Sequence, residues 1–330
     1  MIGVIGGGAW GTALAQVAAA SGGEVRLWAR EAEVISSINR SHENALFLPG
    51  IPLSPEIRAS DDINWVTDAD PVLVVTPSQH MRAVLSGLDA RPRHLILCAK
   101  GIEAGSTLLM HEVAREACPD ALVSVLSGPT FAHEVAKGLP TAITLACEDE
   151  AIGADVARSI AQPEFRPYLS TDVVGAEIGG AVKNVLAIAC GVVEGAGLGQ
   201  NARASLISRG FAEMSRFGLA RGAQAETLAG LSGLGDLVLT CSSTSSRNFS
   251  LGVGLGEGKT AAELLADRRT VAEGAFTAPV LRQAARAAGI EMPISEAVCA
   301  LLEGKATVDE VVDELLSRPL RHERGGRLRR

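Results

Sequence analysis

Short β-branched apolar runs alternate with helical patterns through the first half of the chain. Ile2–Ile5, Val25–Trp28, Pro71–Thr76, His94–Ala99 and Leu122–Leu126 read as strands. Gly11–Ala20, Ala32–Asn39, Met81–Leu88 and Ser106–Ala117 between them read as helices. Strands that are apolar throughout and alternate with helices predict a parallel sheet covered on both faces. Ala142–Cys147 and Phe165–Leu169 read as further strands of the same unit. From about Thr171 the texture changes to long Ala/Leu/Gly helical patterns, and strand signals nearly vanish. The patterns are Gly175–Gly195, Asn201–Phe217, Ala223–Leu231, Ala261–Ala266, Phe276–Ala288, Pro293–Leu302 and Val308–Leu316. The chain therefore divides into an α/β unit over 1–172, a doubly wound parallel sheet, and an all-helical unit over 173–330. No internal repeat or low-complexity segment interrupts them.

Composition narrows the function. With 47% apolar residues in 330, both units can bury a core. A net charge of −8 argues against a nucleic-acid partner, which needs a basic face. The basic tail at 318–330 carries Pro319, Gly325 and Gly326 and reads as a solvated or disordered end. Cysteines 98, 118, 147, 190, 241 and 299 show no close sequence pairing, and buried reduced thiols in a cytoplasmic protein are the expectation. The histidines lack metal-ligand spacing, so no metal site is expected. Met1 leads directly into a strand, with no charged leader and no uninterrupted apolar run long enough for a membrane span.

The segment Gly6-Gly7-Gly8-Ala9-Trp10-Gly11 has the form G-x-G-x-x-G, follows a strand and opens a helix. In that context Gly6 permits a tight turn and Gly8 lets backbone approach a pyrophosphate seated on the helix N-terminus. The competing reading is a tight strand–helix turn without a ligand. With the ligand, the first unit is Rossmann-like and the cofactor is NAD or NADP. The second strand ends at Arg30, whose guanidinium suits a 2′-phosphate, and this favours NADPH; the neighbouring Glu31 keeps NAD open.

Lys183 stands out because it lies among small and apolar residues in GAEIGGAVKNVLAIA (Gly175–Ala189), and the chain has few lysines. Either it snorkels from a helix edge, or it is desolvated and its pKa falls toward the range useful for proton transfer. Lys100 stands at the end of a strand, the edge where open α/β sheets bind ligands, or is a plain helix-approach charge. Ser127–Ala132 follows another strand as a tight turn presenting N–H groups. Asp236 lies in the glycine-flanked turn Gly233-Leu234-Gly235-Asp236, as a site carboxylate or a helix cap. Ser245–Asn248 is either a polar loop or a set of donors for a phosphate or carboxylate.

These pieces resemble the bacterial NAD(P)-dependent glycerol-3-phosphate dehydrogenases. The matching segments, in family order, are Gly6–Ala15, Cys98–Glu103, Ser127–Ala136, Ala181–Gly191, Gly233–Ser243, Ser246–Asn248 and Val271–Gly274. The resemblance implies reversible interconversion of dihydroxyacetone phosphate and sn-glycerol 3-phosphate, feeding glycerophospholipid synthesis, by a cytoplasmic homodimer. It implies Lys183 as proton donor or acceptor. Substrate positions implied are Lys100, Gly128, Thr130, Asp236, Ser246, Arg247 and Asn248. Cofactor positions implied are Gly6, Gly8, Ala9, Trp10, Gly11, Arg30, Ala132, Val271 and Glu273, with Lys100 and Arg247 shared. Thr130 stands where many members have serine, and the hydroxyl is kept. Two rival readings remain: a β-hydroxyacid dehydrogenase acting on a carboxylate, and a nucleotide-sensing module without turnover.

Overall fold

A computed structural model describes residues 1–20, 22–266 and 272–319 of the chain. Its first half is one sheet of eight strands: β1 (Ile2–Ile5), β2 (Val25–Trp28), β3 (Ile57–Ser60), β4 (Val72–Val74), β5 (His94–Leu97), β6 (Leu122–Ser127), β7 (Thr141–Ala146) and β8 (Phe165–Ser170). The spatial order is β3-β2-β1-β4-β5-β6-β7-β8. Six helices cover it: α1 (Ala9–Ala19), α2 (Ala32–Ser41), α3 (Met81–Ser86), α4 (Met110–Ala117), α5 (Ala132–Ala136) and α6 (Glu150–Ile160). Central strands such as β4 are buried at every residue, as a sheet covered on both faces requires. Chain order reverses between β1 and β4, which are neighbours, and that fork opens a crevice at the strand ends.

The sheet departs from the parallel expectation at one step. β6 and β7 pair antiparallel, with Val125 opposite Ala146 and Ser127 opposite Thr144. The intervening α5 is five residues, about 7.5 Å of helix at ~1.5 Å per residue, too short to carry the chain across the sheet as a parallel crossover. β3 went unread because it is a short edge strand that alternates polar and apolar residues over four positions.

The second half is helical among the described residues: α7 (Val173–Gly195), α8 (Gln200–Ala220), α9 (Ala225–Ala229), α10 (Asp236–Thr240), α11 (Arg247–Gly256), α12 (Ala261–Leu264), α13 (Glu273–Ala287), α14 (Pro293–Leu302) and α15 (Val308–Leu316). The axis is α7, apolar nearly all round and packed by α8, α10, α11, α13 and α14. It is the one helix, among those described, long and apolar enough to cross a membrane, but 94% of its apolar window is buried inside the protein. Asp172 begins it, its Oδ1 accepting from Gly175 N at 2.8 Å.

Small residues let α11 approach α7 to backbone contact. A Cβ on Gly252 would lie 2.0 Å from the Ile188 carbonyl oxygen, and one on Gly191 2.1 Å from that of Phe249. This close crossing brings the start of α11 toward the middle of α7. Neither α10 nor α11 was legible as a helix. Leu231–Gly235 forms one π-type turn that runs directly into α10, and glycines across α11 mask its period. The tail lies outside the described residues from 320 onward; at its start Arg318 pairs with Glu291 at 3.2 Å.

One buried carboxylate makes stability depend on pH. Glu213 on α8 is 1% exposed and accepts from Ile294 N at 2.7 Å and from Ser295 N and Oγ at 3.3 and 3.2 Å, capping α14. Burial pushes its carboxyl up to about 7. A raised folded pKa contributes stability that is complete below the ordinary carboxylate value and is lost as pH rises through about 7. Urea midpoints measured from about pH 5 to pH 8 should therefore fall more for the wild type than for Glu213→Gln. Parallel curves would remove Glu213 as the cause.

Candidate active site

The glycine loop has the shape that a dinucleotide needs. Gly6 adopts φ 129° at the end of β1, where a Cβ would lie 2.8 Å from the Val75 carbonyl oxygen. Gly8 is the N-cap of α1, has no side-chain cap and has open space where a Cβ would be. Gly11 packs onto the loop itself, since its Cβ would meet the Gly6 carbonyl oxygen. Ala9 and Trp10 form the first turn of α1, whose N–H groups have no partner inside the helix. The indole nitrogen of Trp10 is buried without a protein partner. The loop is braced by Asn44, whose Nδ2 donates to Gly7 O at 2.9 Å and Thr12 Oγ1 at 2.8 Å. No sequence signal pointed to Asn44.

Arg30 follows β2 with its side chain 80% exposed, paired to Glu31 at 3.1 Å. Its free face is open to a ligand phosphate. Ala132 opens α5, which packs against α1. Val271 lies outside the described residues.

The second centre forms where β5, β6, α7 and α10 meet. Lys100 sits just past the end of β5, Lys183 in the middle of α7, and Asp236 at the start of α10. Asp236 is 0% exposed and shared: Lys183 Nζ donates to Oδ1 at 2.5 Å and Lys100 Nζ to Oδ2 at 2.7 Å. Lys183 Nζ also donates to Thr240 Oγ1 at 2.8 Å, and Lys100 Nζ to Gly128 O at 3.2 Å. Thr130 Oγ1 donates to the same Gly128 carbonyl at 3.3 Å.

Lys183 does not snorkel; it is 5% exposed. Burial lowers its ammonium to about 8, Asp236 opposes that shift, and Lys100 reinforces it. Two of its three hydrogens are taken by Asp236 and Thr240, leaving one for a ligand. Asp236 is no helix cap; both its oxygens serve the lysines. Thr240 was not singled out from the sequence. Thr240 lies one turn beyond Asp236, a spacing informative only once α10 is known to be a helix.

Ser246, Arg247 and Asn248 have different duties. Ser246 is the N-cap of α11, its Oγ accepting from Phe249 N at 3.2 Å. Asn248 is a bridge: Nδ2 donates to Asn184 Oδ1 at 3.0 Å, and Oδ1 accepts from Gly274 N at 2.9 Å. This ties α11 to α7 and to the start of α13. Arg247 is exposed in the first turn of α11, with no hydrogen-bonding side chain opposite it among the described residues. Glu273 stands nearby; burial raises its carboxyl, while Arg247, Lys100 and Lys183 act to lower it. The arrangement is thus a lysine of lowered pKa, a buried carboxylate shared with a second lysine, and an exposed arginine in the first turn of α11. The lysine can move a proton beside a developing oxyanion, and the arginine can hold an anion.

Comparison with known proteins agrees over both units. The family model for the NAD-dependent glycerol-3-phosphate dehydrogenase N-terminus matches residues 1–153, and the model for its C-terminus matches residues 172–313. A glycerol-3-phosphate dehydrogenase [NAD(P)+] of Sphingopyxis alaskensis is 62% identical over 97% of both chains, and one of Novosphingobium aromaticivorans is 64% identical over 97% of both. The crystal structure of glycerol-3-phosphate dehydrogenase from Coxiella burnetii superposes with a TM-score of 0.91 at 38% identity, covering 96% of this chain and 98% of that one. A glycine loop, a two-lysine centre and matches running from Met1 to Asp313 lead to one conclusion: the chain belongs to the NAD-dependent glycerol-3-phosphate dehydrogenase family.

Proposed function

We propose that the chain catalyses the reversible NAD(P)-linked interconversion of dihydroxyacetone phosphate and sn-glycerol 3-phosphate. The observation that carries this reading is the sharing of buried Asp236 between Lys183 and Lys100. A dinucleotide bound on the Gly6–Gly11 loop supplies or accepts the hydride. The remaining steps belong to the protein. Lys183 donates a proton to the oxygen that develops charge at C2, and takes one in the reverse direction. Lys100 adds positive charge that favours the alkoxide-like state. Asp236 and Thr240 orient Lys183. Arg247 and the first-turn N–H groups of α11 suit the substrate phosphate, while Ser246 and Asn248 hold that turn in place. Gly128 and Thr130 complete the substrate side, and Ala132 and Glu273 the cofactor side. Residues 1–172 carry the cofactor loop and 173–330 carry Lys183, Asp236 and Arg247, and each unit also lends residues to the other's ligand. As in the family the sequence resembles, the enzyme works as a cytoplasmic homodimer supplying glycerophospholipid synthesis.

NADPH oxidation by the purified protein tests the substrate. Turnover with dihydroxyacetone phosphate, and not with 2-keto or 3-keto acids, is the expected result. Turnover with the keto acids alone would transfer the site to carboxylate substrates. NADPH binding without oxidation of any of them would make it a sensor. The same assay tests the cofactor reading. Arg30→Ala should raise KM for NADPH by roughly tenfold, the equivalent of one charge-assisted bond, and leave KM for NADH nearly unchanged. Equal effects on both would detach Arg30 from the 2′-phosphate.

A further inference from the structure

A second buried acid–base pair lies outside this chemistry and spans the same two units. Glu177, on α7 six positions before Lys183, is 4% exposed. Its Oε1 accepts from the backbone N–H of His111 at 2.8 Å, and its Oε2 pairs with His111 Nδ1 at 2.6 Å. His111 lies in the first turn of α4 and is 5% exposed. One carboxylate therefore grips both the backbone and the side chain of one residue, which sets position along the helix as well as distance.

The connections on both sides of this pair lead to the lysines. Leu109, two residues before His111, bridges Ile102, which lies two residues after Lys100. The loop between them is trussed. Glu103 takes Arg82 at 2.8 Å on each oxygen, and Gln79 donates to Ile102 O at 2.8 Å and accepts from Ala104 N at 2.9 Å. On the other side, Glu177 and Lys183 share one buried helix, about 9 Å apart along its axis at ~1.5 Å per residue. A shift of α7 at Glu177 is therefore a shift at Lys183. Stability alone gives little reason for such a pair, since burying two polar, titratable groups costs hydration that their bond only partly offsets, and apolar side chains would fill the space as well. Directional bonds add what apolar contact lacks, a single register between the two surfaces.

Taking the reaction proposed above as given, we propose that Glu177 and His111 are positioning residues that fix α7 against the Lys100 loop, so that both lysines meet on Asp236. The test compares His111→Leu with His111→Asn, whose side-chain amide can replace Nδ1 as donor to Glu177. In His111→Leu, kcat with dihydroxyacetone phosphate should fall by roughly tenfold or more, as expected for a misplaced proton donor, while KM for NADPH changes less than about twofold. His111→Asn should recover most of that loss. Isotope-edited NMR of the five lysines, with the Lys183 signal assigned by its loss in Lys183→Met, gives a readout independent of turnover. The Lys183 titration midpoint should move in His111→Leu and return in His111→Asn. A His111→Leu variant that loses only thermal stability, with kcat and the Lys183 titration both unchanged, overturns the proposal. If the wild type does not turn over dihydroxyacetone phosphate, the reaction fails, while the NMR arm still decides whether the pair positions Lys183.

Discussion

Lys183→Met should bind NADPH normally and lose kcat by about 10² or more with dihydroxyacetone phosphate, the usual worth of a positioned general acid. Methionine keeps the length and apolar stem, so the packing of α7 survives. Only the ammonium is removed, and Asp236 and Thr240 lose the donor at 2.5 and 2.8 Å. Dinucleotide binding is expected to be spared because the glycine loop is formed by β1 and α1 and uses no residue of α7. The wild-type pH profile supplies the matching test. Burial holds Lys183 at about 8. Carbonyl reduction needs the ammonium, so its kcat should fall as pH rises through about 8; alcohol oxidation needs the free amine, so its kcat should rise through the same range. Near-normal kcat in a folded Lys183→Met enzyme would end the assignment.

Asp236→Asn should shift Lys183 further down, not up. Asp236 is the group that raises the Lys183 pKa against burial and against Lys100. Asparagine keeps the volume and one acceptor but removes that charge, so the alkaline limb of the reduction profile should move to lower pH. At neutral pH less Lys183 is protonated, and residue 236 keeps an acceptor oxygen for only one of the two lysines; a fall in kcat of roughly 10² is expected, comparable with loss of the acid itself. Asp236→Leu goes further and leaves two ammoniums facing each other without a counter-charge, which should cost about 3–5 kcal/mol of stability, as for other broken buried pairs. Chemical denaturation reads that loss directly. A limb that stays in place or moves upward in Asp236→Asn would show that Asp236 does not govern Lys183.

Both predictions depend on a site that was partly legible from residues alone. The glycine loop was readable because its chemistry is local: one strand end, one turn and one helix start within a few residues. Lys183 was readable as an anomaly, since a lysine among small apolar residues on every helical face has few ways to reach water. Most of the strand and helix pattern of 1–172 was readable, β3, α5 and α6 excepted, because burial on both faces leaves apolar runs in the central strands. Less legible were elements whose stability comes from partners. Helix α11 carries glycines at 252, 254 and 256, poor helix formers that make sense only where α7 presses against Gly252 and Gly256 and Leu264 against Gly254. The antiparallel step at β7 likewise left no mark on the β7 sequence, because direction is decided by the connection.

The roles within the SRN segment show the same limit at single-residue scale. Three adjacent polar residues looked like one donor set. Packing separates them into a helix cap, an exposed cation and a bridge to Asn184 and Gly274. Hydrogen-bond partners are chosen by where neighbouring backbones end, which a linear pattern does not record.

Taken by itself, the sequence determined the division into an α/β unit and a helical unit, the glycine turn between β1 and α1 and the unusual position of Lys183, because each follows from local patterns of residues. Only the tertiary structure decided that Lys183 and Lys100 share Asp236, across 53 and 136 residues of chain, that Thr240 joins them, and that Glu177 grips His111 from 66 residues away. The physical reason is that a lysine's proton affinity is set by its distance to other charges and by the water it has lost. Both are properties of packed neighbours, and the chain brings those neighbours together only when it folds.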